Sequence, residues 1–118
     1  MGKMDIVAGV VVRMRARPAV VLVSRGGTAL LVSVWSRLGK PRHRADLPLS
    51  ALDAAECGIG DKHLPLVRCG EPFHWPAEKL KTQIGQASPE LLANLIKAVA
   101  QEQRILAQEQ RLSFNAAG

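Results

Sequence analysis

The chain of 118 residues is poor in aromatic side chains and in cysteine. It has no tyrosine, two phenylalanines and two tryptophans, so aliphatic side chains must fill its core. Its two cysteines, Cys57 and Cys69, lack the CxxC spacing of zinc sites and are too few for a disulfide framework. Neither histidines nor carboxylates cluster at metal-ligand spacing. We therefore expect no cofactor, no metal and no disulfide-stabilised secreted domain.

Long apolar runs are also missing. No stretch approaches the roughly 18 apolar residues that a transmembrane helix requires. Residues 6–12 are apolar but too short, and too poorly flanked, for a signal peptide. These patterns predict a cytoplasmic protein with no membrane partner.

Acidic residues are scarce in the first half of the chain. Residues 1–50 carry nine lysines and arginines against two aspartates, a net charge of +7, whereas residues 51–118 have a net charge of −1. Arginine outnumbers lysine ten to six, and its planar guanidinium is well suited to binding phosphate. A polyanion or an acidic protein is the expected partner, and ordinary solubility is the alternative explanation.

Short β-branched runs, separated by turn residues, dominate the first 70 residues. The runs cover residues 6–12, 19–24, 29–34, 47–49 and 63–69. Gly26-Gly27 favours a tight hairpin between the second and third runs, because glycine accepts the positive φ of such turns. The pattern predicts a small, mainly β domain, either a curled antiparallel sheet or a barrel.

A single long helix is predicted at the end of the chain. Ser88 is a typical helix cap, Pro89 suits the first helical position and Glu90 favours the positive end of the helix dipole. Aliphatic residues then recur on one face as far as Val99. We expect residues 1–100 to form the domain and residues 101–118 to form a helical extension that ends in a disordered tail from Ser113.

Three segments together resemble the MazF/PemK family of toxin ribonucleases. They are residues 66–72 (Leu-Val-Arg-Cys-Gly-Glu-Pro), residues 17–22 (Arg-Pro-Ala-Val-Val-Leu) and residues 84–92 (Ile-Gly-Gln-Ala-Ser-Pro-Glu-Leu-Leu). The resemblance spans most of residues 5–100. It implies an SH3-like barrel of five to seven short antiparallel strands with a C-terminal helix, usually as a symmetric homodimer.

The same resemblance implies an activity and a partner. Proteins of the family are toxins of type II toxin–antitoxin systems, and an acidic antitoxin neutralises them. They cleave single-stranded RNA without a metal. The ribose 2′-hydroxyl attacks the adjacent phosphate, which leaves a 2′,3′-cyclic phosphate and a 5′-hydroxyl end.

Three residues match the site of the family. Arg68 lies where the PemK-like branch has the arginine of a Val-Arg-Cys-Asp pattern, which donates to the phosphate and protonates the leaving group. Arg17 matches an arginine that lines the same site. Ser36 lies at, or one residue beyond, a hydroxyl residue that contacts the scissile phosphate. Without the resemblance, an ion pair of Arg68 with Glu71 is the simpler interpretation.

The chain departs from the family at the acid and at the threonine. The position of the acid is Gly70 here, and Glu71 is shifted by one residue, which on a strand turns a side chain to the opposite face unless a bulge restores it. Trp35 stands where the threonine is expected. His74, or His43 in the basic loop, is a candidate replacement base because imidazole titrates near neutral pH.

Basic and aromatic side chains outside this site are candidates for partner contacts. The predicted RNA-binding residues are Arg15, Arg37, Lys40, Arg42 and Arg44, whose backbone contacts would depend on salt rather than sequence. Phe73 and Trp75 lie between prolines. They are predicted to stack on a base or to receive an apolar segment of the antitoxin, and capping of the core is the alternative.

Two functions without catalysis compete with the ribonuclease. CcdB toxins share the fold and inhibit DNA gyrase, although the chain lacks their C-terminal Trp-Gly-Ile. A nucleic-acid-binding accessory protein is the other alternative. The register of Glu71 relative to Arg68 discriminates between a ribonuclease and a binding module.

Overall fold

The computed structural model describes residues 6–15, 17–36, 42–60 and 64–117. Within these ranges the strands are β1 Val10–Arg13, β2 Pro18–Arg25, β3 Thr28–Ser36, β4 Asp46–Pro48, β5 Pro65–Arg68, β6 Phe73–Pro76 and β7 Gln83–Gln86. The helices are α1 Ala51–Glu56 and α2 Pro89–Ala117, with a 3₁₀ turn at Ala77–Lys79. The predicted class, mainly β with up to seven antiparallel strands and a C-terminal helix, is confirmed.

The sheet is built around β3. One edge of β3 pairs with β2. Its other edge pairs with β6 over residues 28–31 and with β5 over residues 34–36. Beyond β2 the sheet continues through β1 to β7, and beyond β5 it ends at β4. Because β5 and β6 lie end to end along one edge of β3, the sheet divides near Ser33, and the end of β5 and the start of β6 meet there.

Side-chain alternation gives the sheet a core on each face. Val11, Val20 and Val32 are buried together with residues of α1 and α2. Val12 and Leu31 belong to the second cluster, on the opposite face, where the described residues of the cluster include buried Leu80 and half-buried Phe73. Full burial of each such aliphatic side chain stabilises the fold by about 1.5–3 kcal/mol. The two cores hold the central strands rigidly.

The start of α2 follows the sequence prediction. The Ser88 hydroxyl accepts a hydrogen bond from the backbone N–H of Leu91 at 3.1 Å, and Leu91, Leu95 and Val99 are buried. The helix then continues unbroken to Ala117, through the segment that the sequence predicts to be a disordered tail. The domain boundary at residue 100 stays a prediction.

The turn between β2 and β3 is formed by two glycines. Gly26 and Gly27 both have positive φ angles, 61° and 81°, which confirms the predicted hairpin between β2 and β3. Among the residues described, no helix is both long and apolar enough to cross a membrane.

Candidate functional site

Strand pairing brings two arginines to one face of the sheet. Side chains directly opposite each other in an antiparallel pair point to the same face, and every second residue of a strand shares that face. Arg17 lies two residues before Ala19, the cross-strand partner of Ser33. Arg68 lies two residues beyond the cross-strand partner of Trp35. Arg17, Ser33, Trp35 and Arg68 therefore share one face, although the arginines are 51 positions apart in the sequence.

The indole of Trp35 lies against both guanidinium groups. The guanidinium carbon of Arg17 is 3.2 Å from the centroid of the Trp35 ring, and that of Arg68 is 4.6 Å from it. Both distances are within the range of a cation–π interaction. The indole Nε1–H donates a hydrogen bond of 2.9 Å to the Ser33 hydroxyl. Together these contacts form a two-arginine cluster, defined here as Arg17, Ser33, Trp35 and Arg68.

Glu71 joins this cluster. The Arg68 guanidinium donates to the Glu71 carboxylate at 3.0 Å. This is possible because β5 ends at Arg68 and the chain then turns, so the side chain of Glu71 is not directed by strand alternation. The Glu71 carboxylate is exposed while Arg68 is largely covered. A carboxylate thus pairs with Arg68, one of the two cations that contact the Trp35 ring.

A basic cavity of about 780 Å³ opens beside Arg17. The cavity is lined by Phe73, Trp75 and Ser33. Its cationic lining residues are Arg13, Arg15, Arg17, Lys79 and Lys81. Among the residues described, no carboxylate lines it. A cavity with aromatic and cationic walls fits a stacked base and its phosphates.

The structure does not bring every candidate to this face. His74 pairs with Leu30 and Ser36 with Pro65, so alternation places both on the face opposite the two-arginine cluster. Both residues are exposed. Their predicted catalytic roles have no support from this placement.

His43 approaches the site from the loop before β4. Its Nδ1 accepts the backbone N–H of Ala45 at 3.0 Å, and its Nε2 is 3.6 Å from a carboxylate oxygen of Glu102. A methyl group added to Gly70 would lie only 2.9 Å from the imidazole. The histidine therefore fills the space left by the missing side chain at position 70.

Of the basic-loop residues predicted to bind RNA, the structure describes Arg42 and Arg44. Arg37 and Lys40 lie outside the described residues. Arg42 is exposed, and its backbone N–H donates to Asp46 at 2.9 Å. Arg44 is held by α2: its Nε and Nη2 donate to the two Glu102 oxygens at 2.7 and 3.1 Å, and its Nη1 donates to Glu109 at 2.8 Å. The role of Arg44 in RNA binding stays a prediction.

The thiols contribute no nucleophile to the site. Burial raises the pKa of Cys57 to about 11 and that of Cys69 to about 12, which keeps both protonated at neutral pH. Among the described residues, no group of His, Cys, Asp and Glu side chains is arranged to hold a metal ion.

The fold is similar to those of several solved endoribonuclease and MazF structures. An endoribonuclease from Mycobacterial species has a TM-score of 0.65 at 14% identity, covering 86% of this chain and 93% of its own. An endoribonuclease in complex with its cognate antitoxin, also from Mycobacterial species, has a TM-score of 0.64 at 13% identity. The match covers 84% of this chain and 95% of that one. A MazE–MazF complex from Deinococcus radiodurans has a TM-score of 0.64 at 19% identity, and the match covers 83% of this chain and 95% of that one. The chain has the MazF fold. No family profile and no curated protein matches the sequence.

Sequence reasoning missed several residues that lie in or beside this site. Ser33 is the hydroxyl that the structure places against the Trp35 indole, whereas Ser36 lies on the other face. Alternation along β3 was the available signal, because Ser33 is two residues from Trp35. Arg13, Lys79 and Lys81 line the cavity, and their scattered positions gave no sequence signal.

The ion pair between Arg44 and Glu102 predicts a pH-dependent stability. Glu102 is a buried charged side chain, 3% exposed, and the hydrogen bonds from Arg44 lower the pKa of its carboxyl group. A lowered pKa in the folded state stabilises the fold above the unfolded-state pKa of about 4.3, and this contribution is lost as the pH falls. We expect Glu102→Gln to lower the urea midpoint at pH 7 and to differ less from the wild type at pH 3.5.

Glu109→Gln is the matched control for this prediction. Glu109 is half exposed and makes one of the three Arg44 bonds, so its loss should have a small effect at both pH values. Equal midpoint shifts for the two variants, or a Glu102→Gln effect that does not decline at pH 3.5, would contradict the assignment.

Proposed function

We propose that the protein is the toxin of a type II toxin–antitoxin system and a metal-independent endoribonuclease for single-stranded RNA. The observation that carries the proposal is that Arg17 and Arg68 contact one indole beside a basic cavity, with Glu71 paired to Arg68. The likeness of the fold to structures described as endoribonucleases supports it.

The cations would bind and stabilise the reacting phosphate. A guanidinium donates two parallel N–H bonds to phosphate oxygens, and two arginines together offset the charge that develops on the phosphorane. Arg68 is half of an ion pair with Glu71, so a phosphate entering the site meets one guanidinium already oriented. The Ser33 hydroxyl accepts the indole N–H and keeps its own proton to donate.

Glu71 is the proposed general base. The ribose 2′-oxygen bonds to phosphorus as the bond from phosphorus to the 5′-oxygen breaks. The 2′-hydroxyl proton passes to the Glu71 carboxylate, and a proton from solvent completes the 5′-hydroxyl. Arg68 does not take the role of proton donor that the family resemblance implies, because arginine keeps its protons at neutral pH. The exposure of Glu71 is consistent with its access to substrate. The products would be a 2′,3′-cyclic phosphate and a 5′-hydroxyl end.

The basic cavity is the proposed RNA channel. Phe73 and Trp75 would each stack on a base, while Arg15 and its cationic neighbours contact the backbone. The protein is further proposed to form a homodimer, which would carry two such cavities. The neutralising partner would be an acidic antitoxin, whose carboxylates and apolar side chains would fill the same cavity. The proposed location is the cytoplasm, where both mRNA and such an antitoxin occur.

Cleavage of long single-stranded RNA by the purified protein, with chelator in excess, tests this function. We expect discrete fragments with 5′-hydroxyl ends, and little cleavage of the same sequence once annealed to its complement. Intact RNA that is nevertheless bound would contradict the ribonuclease and favour a binding module on the same fold.

A further inference from the structure

Trp35 lies between the two strands that carry the site arginines. In the order β5–β3–β2, Trp35 is near the end of the middle strand, with Arg17 just before β2 and Arg68 at the end of β5. Neighbouring strands are about 4.8 Å apart, so an arginine on each flanking strand can reach across to the indole. The distances of 3.2 and 4.6 Å show that both do so.

The indole supplies an attraction that the arginines themselves lack. Two guanidinium groups repel each other, and long side chains lose conformational entropy when they are held in one place. The negative face of an aromatic ring attracts a guanidinium, and tryptophan does so best. One ring in contact with both groups therefore keeps them close despite their repulsion.

Stacking also leaves the arginines able to bind a ligand. A guanidinium that lies over a ring uses its face, while its N–H donors point outward in its own plane. Arg68 commits one nitrogen to Glu71 and has further donors. The ring itself is fixed, because its N–H is bound to Ser33 at 2.9 Å. The orientation of both arginines thus depends on one half-buried side chain.

We propose that Trp35 is a positioning residue of the ribonuclease site. Its indole holds the guanidinium groups of Arg17 and Arg68 so that both donate to the same scissile phosphodiester. The inference rests on the proposed function and deepens it. Trp35 does not touch the reacting atoms, and it acts through the two arginines.

Two substitutions separate the aromatic face from simple packing. Trp35→Phe keeps a ring but loses the N–H, and Trp35→Leu keeps apolar volume but loses the ring. We expect Trp35→Leu to lower the single-turnover rate on a short RNA about 100-fold, as misplaced catalytic groups do, with a change in KM below about threefold. Trp35→Phe should retain the rate within about fivefold. Equal rates for the wild type and Trp35→Leu would overturn the proposal.

A double-mutant cycle excludes a merely structural role. If Trp35 acts through Arg17, the substitution Arg17→Ala should cost much less in the Trp35→Leu background than in the wild type. Additive losses would overturn the proposal, as would a rate loss that follows the fraction of unfolded protein at the assay temperature.

Fluorescence tests the contact without relying on activity. Trp35 is the only tryptophan in a Trp75→Phe variant, and its emission should change when Arg17 or Arg68 is replaced by alanine but not when exposed Arg25 is. Unchanged emission would overturn the stacking. A wild-type protein that cleaves no RNA, while the emission responds as expected, would overturn the proposed function and the catalytic role, and would leave the two-arginine cluster as a structural feature.

Discussion

Arg68→Ala is expected to slow RNA cleavage about 1,000-fold, the range seen when a group that stabilises transition-state charge is removed. Arg68 contacts Trp35 and pairs with Glu71, so its loss would remove a proposed phosphate donor and leave the proposed base without its partner. The measurement is the single-turnover rate on a defined single-stranded RNA in the presence of chelator.

Two variants make this result interpretable. Arg68→Lys keeps the charge but loses the guanidinium fork, so we expect an intermediate rate. Arg25→Ala removes an exposed arginine at the far end of β2 and should leave the rate unchanged. A folded Arg68→Ala protein with wild-type activity would remove Arg68 from the mechanism.

Gly58→Ala is expected to destabilise the fold by about 3 kcal/mol, because overpacking adds to backbone strain. Gly58 follows α1 with a φ of 72°, a conformation that disfavours a side chain. An added methyl group would also collide with the carbonyl of Ile84 in β7. The free energy of unfolding, measured by urea titration, should fall accordingly.

Alanine substitutions at three other glycines distinguish the effect of backbone strain from that of steric crowding. Gly27 has a φ of 81° but open space around it, Gly85 is crowded by the Cys57 backbone without a positive φ, and Gly60 has neither feature. Alanine should therefore cost about 1 kcal/mol at Gly27, about 1–3 kcal/mol at Gly85, and almost nothing at Gly60. A Gly58→Ala protein as stable as Gly60→Ala would contradict the contact between α1 and β7.

The β2–β3 hairpin and the start of α2 were predictable because residues within the turn and at the helix end determine them. The glycine pair that turns the β2–β3 hairpin and the Ser88 cap of α2 act within a few residues, so their sequence signals were sufficient. β7 was not predicted. Its residues, Gln83–Gln86, show no apolar alternation, and the segment is a strand because its backbone pairs with β1. Such pairing depends on the folded sheet and leaves no local pattern.

The site was predicted in part for the same reason. Arg17 and Arg68 were identified from the family resemblance, and Glu71 as a shifted replacement for the family acid. In the structure both arginines contact Trp35, and Glu71 pairs with Arg68. The placement of Ser36 and His74 depends on which face of β3 and β6 is buried, which sequence alone did not reveal. Trp35 was noted only as a departure from the family, since its contact with both arginines requires β2 and β5 to flank β3.

The chemistry of the site can differ from that of other MazF folds while the geometry is kept. At 13–19% identity to the similar structures, the chain retains the strand arrangement, and its side chains have changed around it. The family resemblance implies an acid at position 70, where this chain has glycine. The carboxylate at position 71 follows the end of β5, where strand alternation does not direct the side chain. His43 occupies the vacated space beside Gly70.

In the proposed mechanism, the 2′-hydroxyl of the substrate attacks the phosphate held by Arg17 and Arg68. The most direct test compares an RNA oligonucleotide with the same sequence carrying a single 2′-deoxy residue at the mapped cleavage position, both with chelator present. We predict that the RNA yields a 2′,3′-cyclic phosphate and a 5′-hydroxyl, while the substituted strand binds with similar affinity and stays intact. Cleavage of the substituted strand at that position, or 5′-phosphate ends on the RNA products, would contradict the account.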